Sequence, residues 1–196
     1  EETLICLTLS SKLSGTYQSA CLAKDMVDYE NIYIVDTLTA VAGIRLLCEV
    51  AINWIGENRS VENIVSDLEE LKERVHIYAG LDTLEYLAKG GRISKTAAAI
   101  GTLASIKPII CVDHGGVVVA GKTRGVNKAT SVVCEKMQSD IVDTLYPVYT
   151  LYSYGLENVE KLESKLDIDV QRVRIGSTIG VHIGPNAFGV CFISKL

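Results

Sequence analysis

The sequence predicts an α/β protein of two packed domains, the first around a mostly parallel sheet and the second around a mixed or antiparallel one. Three observations carry this. In the first third, short apolar runs alternate with helix-period stretches, the pattern of a βαβ crossover. Further on, Lys107 to Asp113 and Val117 to Lys122 are apolar runs around His114-Gly115-Gly116, whose glycines suit the positive φ of a hairpin turn. With 48% apolar residues and a mean hydropathy of +0.25, the 196 residues can fill a substantial core.

The run from Leu4 to Leu9 reads as a strand that feeds into Ser10 to Ala20, a tight turn and helix start. That helix is expected over Thr16 to Asp28, with Ser14 at the N-cap. Ile32 to Val35 forms the next strand and ends at Asp36-Thr37. A helix from Ala42 to Gly56 follows, with Ile44, Leu47, Cys48, Ala51, Trp54 and Ile55 on one face and Trp54 in the core. Ser60 caps a third helix, in which Ile64, Leu68, Leu71 and Val75 form the buried stripe. Glu62 sits in its first turn and Lys72 and Arg74 in its last, as the helix dipole favours.

The composition changes near His76, which divides the chain into domains 1–76 and 77–196, with allowance for the chain crossing back near its C-terminus. The second domain opens with a strand from Ile77, a short helix Thr83 to Lys89, the Gly90-Gly91 pair and a small-residue helix through Ala97, Ala98 and Ala99. After the hairpin come a helix from Val126 to Leu145, a strand Val148 to Tyr154 and a helix Glu157 to Leu166. Strands at Val170 to Ile175 and Val190 to Ile193 close the pattern.

A net charge of -5 with scattered lysines and arginines argues against a nucleic-acid groove. The longest uncharged stretch, Ile175 to Ser194, is broken by glycines, Pro185, Asn186 and His182, so it does not read as a membrane span. A cytoplasmic protein is expected, without an integral membrane segment. Six cysteines lie singly, without C-x-x-C pairs or histidines at ligand spacing, and read as reduced core thiols; no metal and no cofactor are expected. The chain opens on Glu1-Glu2 without a methionine, and an upstream segment is expected.

Three clusters are candidates for chemistry. At the first helix start, the amides of Gly15, Thr16 and Tyr17 with the Ser14 hydroxyl favour an anion, though the same residues fit a plain cap. In Leu84 to Ser94 the two glycines end a helix and reverse the chain, which projects Arg92 from a constrained turn. Its guanidinium suits a carboxylate or phosphate, and equally an ordinary surface charge. In Ile179 to Asn186, His182 sits in a loop bracketed by glycines and Pro185, as a functional or an ordinary loop histidine.

The segments LSSKLSGTYQSA, VDT, DTLEYLAKGGRIS, IKPII, KTRG and GVHIGPNAFGV, in this order, resemble the motifs of the DegV family over nearly the whole chain. The resemblance implies a two-domain DegV-like fold and a bacterial fatty-acid-binding subunit, not itself an enzyme, that presents a carboxylate to a separate ATP-using kinase. It also implies that Ser14, with Gly15 and Thr16, holds the carboxylate, while Arg92 and His182 sit at the mouth and face the kinase catalytic subunit. Ile183 stands where the family usually has threonine, and Asn186 where it usually has glycine. The resemblance further implies a missing N-terminal segment, including a threonine that shares the carboxylate, so that the first sheet would be incomplete with an exposed edge.

Burying about fourteen methylenes at ~0.8 kcal/mol each is worth on the order of 10 kcal/mol, against ~1.5–3 for a charged hydrogen bond at the head. The tail then sets affinity and the head sets orientation. Two other classes compete. Ser14 activated by His182 would make a serine-dependent acyl hydrolase or transferase, but there is no G-x-S-x-G elbow and no third residue to orient the histidine. A phosphate- or nucleotide-binding module would use the same helix start, but neither a Walker lysine nor a G-x-G-x-x-G fingerprint is present.

Overall fold

The computed structural model of the chain describes residues 2–94, 96 and 105–195. The chain divides into two compact units, Glu1–Val75 with His114–Gly116, and His76–Asp113 with Val117–Leu196.

The first unit runs β1 (Leu4–Thr8), α1 (Thr16–Asp25), β2 (Ile32–Asp36), α2 (Ala42–Gly56) and α3 (Val61–Leu71), then a 3₁₀ turn at Lys72–Arg74. β1 and β2 pair in parallel, from Leu4 opposite Ile32 to Thr8 opposite Asp36, so both strands point their carboxyl ends at the loops leading into α1 and α2. Val35, Leu46, Leu47, Val50, Ile64 and Leu68 form the core. The Ser60 hydroxyl accepts from the Asn63 amide at 3.4 Å, the expected cap of α3.

Several boundaries and faces differ from the sequence reading. α1 stops at Asp25 rather than Asp28, because the Met26 and Val27 amides turn back to Ala23 and Lys24 and tighten the last turn into 3₁₀ bonds. α3 ends at Leu71, and Val75 opens a strand instead of completing the helix stripe. α2 has the expected ends, but its buried face is Ala42, Gly43, Leu46, Leu47, Val50 and Ala51. Ile55 is 55% exposed and Trp54 only half-buried, with the Arg59 guanidinium 4.4 Å over its ring. This helix is apolar on two sides, so periodicity alone does not choose the covered one. Its other side, with Cys48, Ile52 and Ile55, lines an open groove of about 450 Å³ with Ile5 and Leu7 of β1. Nor are all six cysteines core: Cys134 and Cys191 are buried, Cys21, Cys48 and Cys111 intermediate, and Cys6 falls on the exposed alternate of β1.

The second unit is built on a six-stranded sheet of order β5-β4-β3-β8-β6-β7. Its strands are β3 (Val75–Gly80), β4 (Ile106–Asp113), β5 (Gly116–Arg124), β6 (Tyr149–Tyr152), β7 (Gln171–Arg174) and β8 (Phe188–Ile193). β3 with β4 and β6 with β8 are antiparallel, whereas β6 with β7 is parallel, so the sheet is mixed. Both faces are covered: Ile109 and Phe188 join one apolar cluster, while their chain neighbours Ile110 and Ala187 join another. That explains why β8 is buried at every position instead of at alternate ones.

Among the described residues, the helices of this unit are α4 (Glu85–Lys89), α5 (Gly125–Ser139), α6 (Glu157–Glu163) and α7 (Ser177–Ile183). α5 ends six residues before Leu145, since Ile141 takes a positive φ of 50° and Val142 forms a bridge with Ser194. His182 lies in the last turn of α7 and not in a loop; the helix stops only at Gly184, whose φ is +78°. At the hairpin, the positive φ values belong to His114 and Gly115, while Gly116 already starts β5. The helix expected through Ala97, Ala98 and Ala99 lies outside the described residues. No helix among the described residues is long and apolar enough to cross a membrane.

Candidate functional site

In the first unit the two strand ends are tied together by their loops. Ser10 is fully buried; its amide donates to Thr39 O at 3.0 Å, its hydroxyl donates to Gly115 O at 2.7 Å, and its carbonyl accepts from Leu13 and Ser14. One carboxylate oxygen of Asp36 accepts from the amides of Ser11 and Leu38. These bonds fix the turn that delivers Ser14 to α1.

Geometrically the N-cap of α1 is Gly15, at φ -73° and ψ 6°, one residue later than the sequence suggests. Ser14 still serves the helix start, because its hydroxyl accepts from the Thr16 amide at 3.3 Å and lies 2.8 Å from the Thr16 hydroxyl. Among the described residues nothing accepts the Gly15 amide, and a Cβ on Gly15 would meet nothing within 4 Å. Two hydroxyls, an open amide and the positive end of a ten-residue helix therefore converge on one accessible point, which suits an oxyanion.

In the second unit, α4 ends in a Schellman motif: Arg92 N–H donates to Leu87 O at 2.9 Å, Gly91 N–H donates to Ala88 O at 3.1 Å, and Gly91 holds φ +74°. Arg92 follows directly, one of its guanidinium nitrogens donating to Gly90 O. α7 packs on this turn at two glycines. A Cβ on Gly90 would lie 2.2 Å from His182 Nδ1, and one on Gly184 would lie 2.5 Å from the Tyr86 ring. Nδ1 of His182 is buried with no hydrogen-bond partner among the described residues. The structure thus brings the Arg92 turn and His182 together, while Ser14, Gly15 and Thr16 belong to the other unit.

Sequence reasoning missed the support beneath this pair. Asp82 accepts from Lys107 Nζ at 2.5 Å and from Asn186 Nδ2 at 2.9 Å, and the Asn186 carbonyl accepts from Asn158. Partial burial raises the Asp82 carboxyl's pKa, but those two hydrogen bonds and the lysine charge outweigh it and hold the group below its ordinary value. Asn186, which stands where glycine is usual, takes the positive φ of 58° that such a position demands. Ile183, in place of the usual threonine, packs against the cluster of Leu81, Leu84 and Leu87. Only the departure from the motif pointed to these positions.

A second polar group gathers His76 and Tyr78 of β3 with Ser194, just past β8, and Asp140, just past α5. His76 Nε2 is 3.0 Å from Ser194 Oγ, its Nδ1 is 3.5 Å from Asp140, and Tyr78 donates to Asp140 at 2.6 Å. The His76 ring stacks on Phe192 with centroids 5.3 Å apart, and burial lowers its pKa against a smaller opposing pull from Asp140. Among the described residues no group of three or more His, Cys, Asp or Glu side chains is arranged to hold a metal ion.

A unit with a small parallel sheet and a unit with a larger mixed sheet, each carrying polar groups at loop ends, define a two-unit α/β protein. This chain belongs to the DegV family, whose model, described as "Uncharacterised protein, DegV family", matches residues 1–195. It is similar to a DegV domain-containing protein of Clostridium acetobutylicum, 35% identical over 195 residues, covering 98% of this chain and 70% of that protein. Among solved structures it is similar to a DegV family protein from Thermus thermophilus described for fatty acid binding, at 30% identity and a TM-score of 0.87. That match covers 98% of this chain and 71% of the other. The Streptococcus pneumoniae Fatty Acid Kinase (Fak) B3 protein, loaded with linoleic acid, shares the fold at a TM-score of 0.87 and 19% identity, over 97% of this chain and 71% of that one.

Proposed function

We propose that this chain binds a long-chain fatty acid in a buried tunnel and presents its carboxylate to a separate kinase, which forms the acyl phosphate. The observation that carries the reading is the 30% identical Thermus thermophilus relative described for fatty acid binding. The convergence of Ser14, Gly15 and Thr16 at a strand end supports it, since that is where α/β sheets collect ligands. The carboxylate rests on Ser14 and Thr16. In the kinase complex a carboxylate oxygen attacks the γ-phosphorus of ATP, a P–O bond forms and ADP departs. Arg92 and His182 neutralise charge on the moving phosphoryl group. A partner that uses ATP places the protein in the cytoplasm.

The test compares binding with turnover. Arg92→Ala and His182→Ala should keep fatty-acid affinity within a few-fold yet sharply reduce acyl-phosphate formation when kinase and ATP are supplied. A loss of affinity in Arg92→Ala as large as in Ser14→Ala, with no further loss in the coupled assay, would make all three plain head-group ligands.

A further inference from the structure

An imidazole that works at a reacting centre is commonly oriented by a hydrogen bond from its second nitrogen to a carboxylate or a carbonyl. His182 lacks that support, since its Nδ1 is buried with no hydrogen-bond partner among the described residues. The helix that carries it offers little hold of its own, because none of the seven residues of α7 is buried. Packing must therefore set the direction of the ring, and two glycines show what it packs against.

The first is Gly90, where a Cβ would lie 2.2 Å from His182 Nδ1, 2.9 Å from its Cε1 and 3.2 Å from Tyr86 O. Gly90 N–H donates to that same Tyr86 carbonyl at 2.9 Å, so the surface beneath the imidazole hangs on the Tyr86 main chain. The second is Gly184, which ends α7 two residues after His182. A Cβ there would lie 2.5 and 2.6 Å from two carbons of the Tyr86 ring, so the ring lies directly against that α-carbon and stops the end of the helix. Ser153 and Asp82 also hold this stretch, but through Gly184 O, the Ala187 amide and Asn186, all of them past the helix. Tyr86 alone among these three reaches the imidazole from both sides, through its carbonyl at Gly90 and through its ring at Gly184.

Resting on the reading above, in which His182 neutralises charge on the moving phosphoryl group, we infer that Tyr86 is the positioning residue of His182. It acts on the transfer only through the imidazole, and it does so with the ring carbons and not with the hydroxyl.

The experiment measures oleate binding and acyl-phosphate formation with the kinase subunit and ATP, for the full chain and for Tyr86→Phe, Tyr86→Leu, His182→Ala and the double variant Tyr86→Leu with His182→Ala. Tyr86→Leu should lower the saturated turnover roughly tenfold or more while oleate affinity stays within a few-fold, and Tyr86→Phe should remain within twofold of the parent. The double variant should be no slower than His182→Ala beyond twofold, because Tyr86 works through a ring that is then gone. A second readout needs no kinase: the nuclear Overhauser contact between the His182 Cε1 proton and the Gly90 α protons should persist in Tyr86→Phe and vanish in Tyr86→Leu. Full turnover in Tyr86→Leu, where His182→Ala is slow, overturns the inference and leaves the reading of His182 standing. Losses that multiply in the double variant overturn it too, since they report general damage to the fold, and so does a Tyr86→Phe variant as slow as Tyr86→Leu. Full turnover in His182→Ala removes the role of His182 itself, and the inference falls with it. Should Tyr86→Leu not fold, Tyr86→Met gives the same comparison.

Discussion

His182 rests directly on the α-carbon of Gly90: a Cβ added there would lie 2.2 Å from Nδ1 of the imidazole. Gly90 itself has φ -75°, which any residue adopts, so the constraint is contact and not backbone. Gly90→Ala should therefore displace the imidazole and cost about 1–3 kcal/mol in denaturant unfolding. In the coupled assay it should match His182→Ala. Gly91→Ala is the control, since its Cβ would meet nothing within 4 Å but its φ of +74° imposes about 1–2 kcal/mol of backbone strain. It should lose stability with little change in turnover; equal turnover in Gly90→Ala and the parent would count against the imidazole's role.

The half-buried ring of His76 makes a pH prediction. Burial lowers its folded pKa below the ordinary value near 6.5, so the native state binds fewer protons than the unfolded chain. Stability is then complete above about pH 6.5 and declines as pH falls below it, until the folded value is passed. His76→Gln, which does not titrate, should flatten the midpoint of urea unfolding across that window. A slope that persists undiminished would place its origin elsewhere.

Asp82 has the opposite sense. Its folded pKa is depressed by Lys107 and Asn186, so its contribution is present above the ordinary carboxylate value and is lost as pH falls through the folded one. Asn186→Gly keeps the backbone conformation and removes one of the two hydrogen bonds. Titration of Asp82 by NMR should then shift upward in this variant, and an unchanged midpoint would contradict the role assigned to Asn186.

Ser14→Ala removes one hydroxyl from the proposed head-group site and leaves the tail untouched. The loss in fatty-acid binding should be about 1.5–3 kcal/mol, read by displacement of a fluorescent fatty acid. The fold should survive, because among the described residues the Ser14 side chain bonds only to Thr16, two residues on.

Local chemistry was legible in the sequence and tertiary choice was not. The ends of α2, the cap at Ser60, the Ile64-Leu68-Leu71 stripe and the glycine turn before Arg92 all follow from short-range rules, and the structure shows each. The covered face of α2 does not follow, since apolar residues occur on two sides and packing decides between them. His182 reads as a loop residue because Gly180, Gly184 and Pro185 surround it, yet α7 forms there and packs against α4 at Gly90 and Tyr86. Those contacts join residues some ninety positions apart, a separation no period or cap encodes.

Fatty-acid binding is the central claim, and extraction of the purified protein with organic solvent followed by mass spectrometry tests it most directly. The account predicts a long-chain fatty acid in the extract, at a level approaching one per chain and reduced in Ser14→Ala. A nucleotide in its place would favour the phosphate-binding reading. An extract without fatty acid, from a full-length protein that also fails to take up a fluorescent fatty acid, would contradict the account.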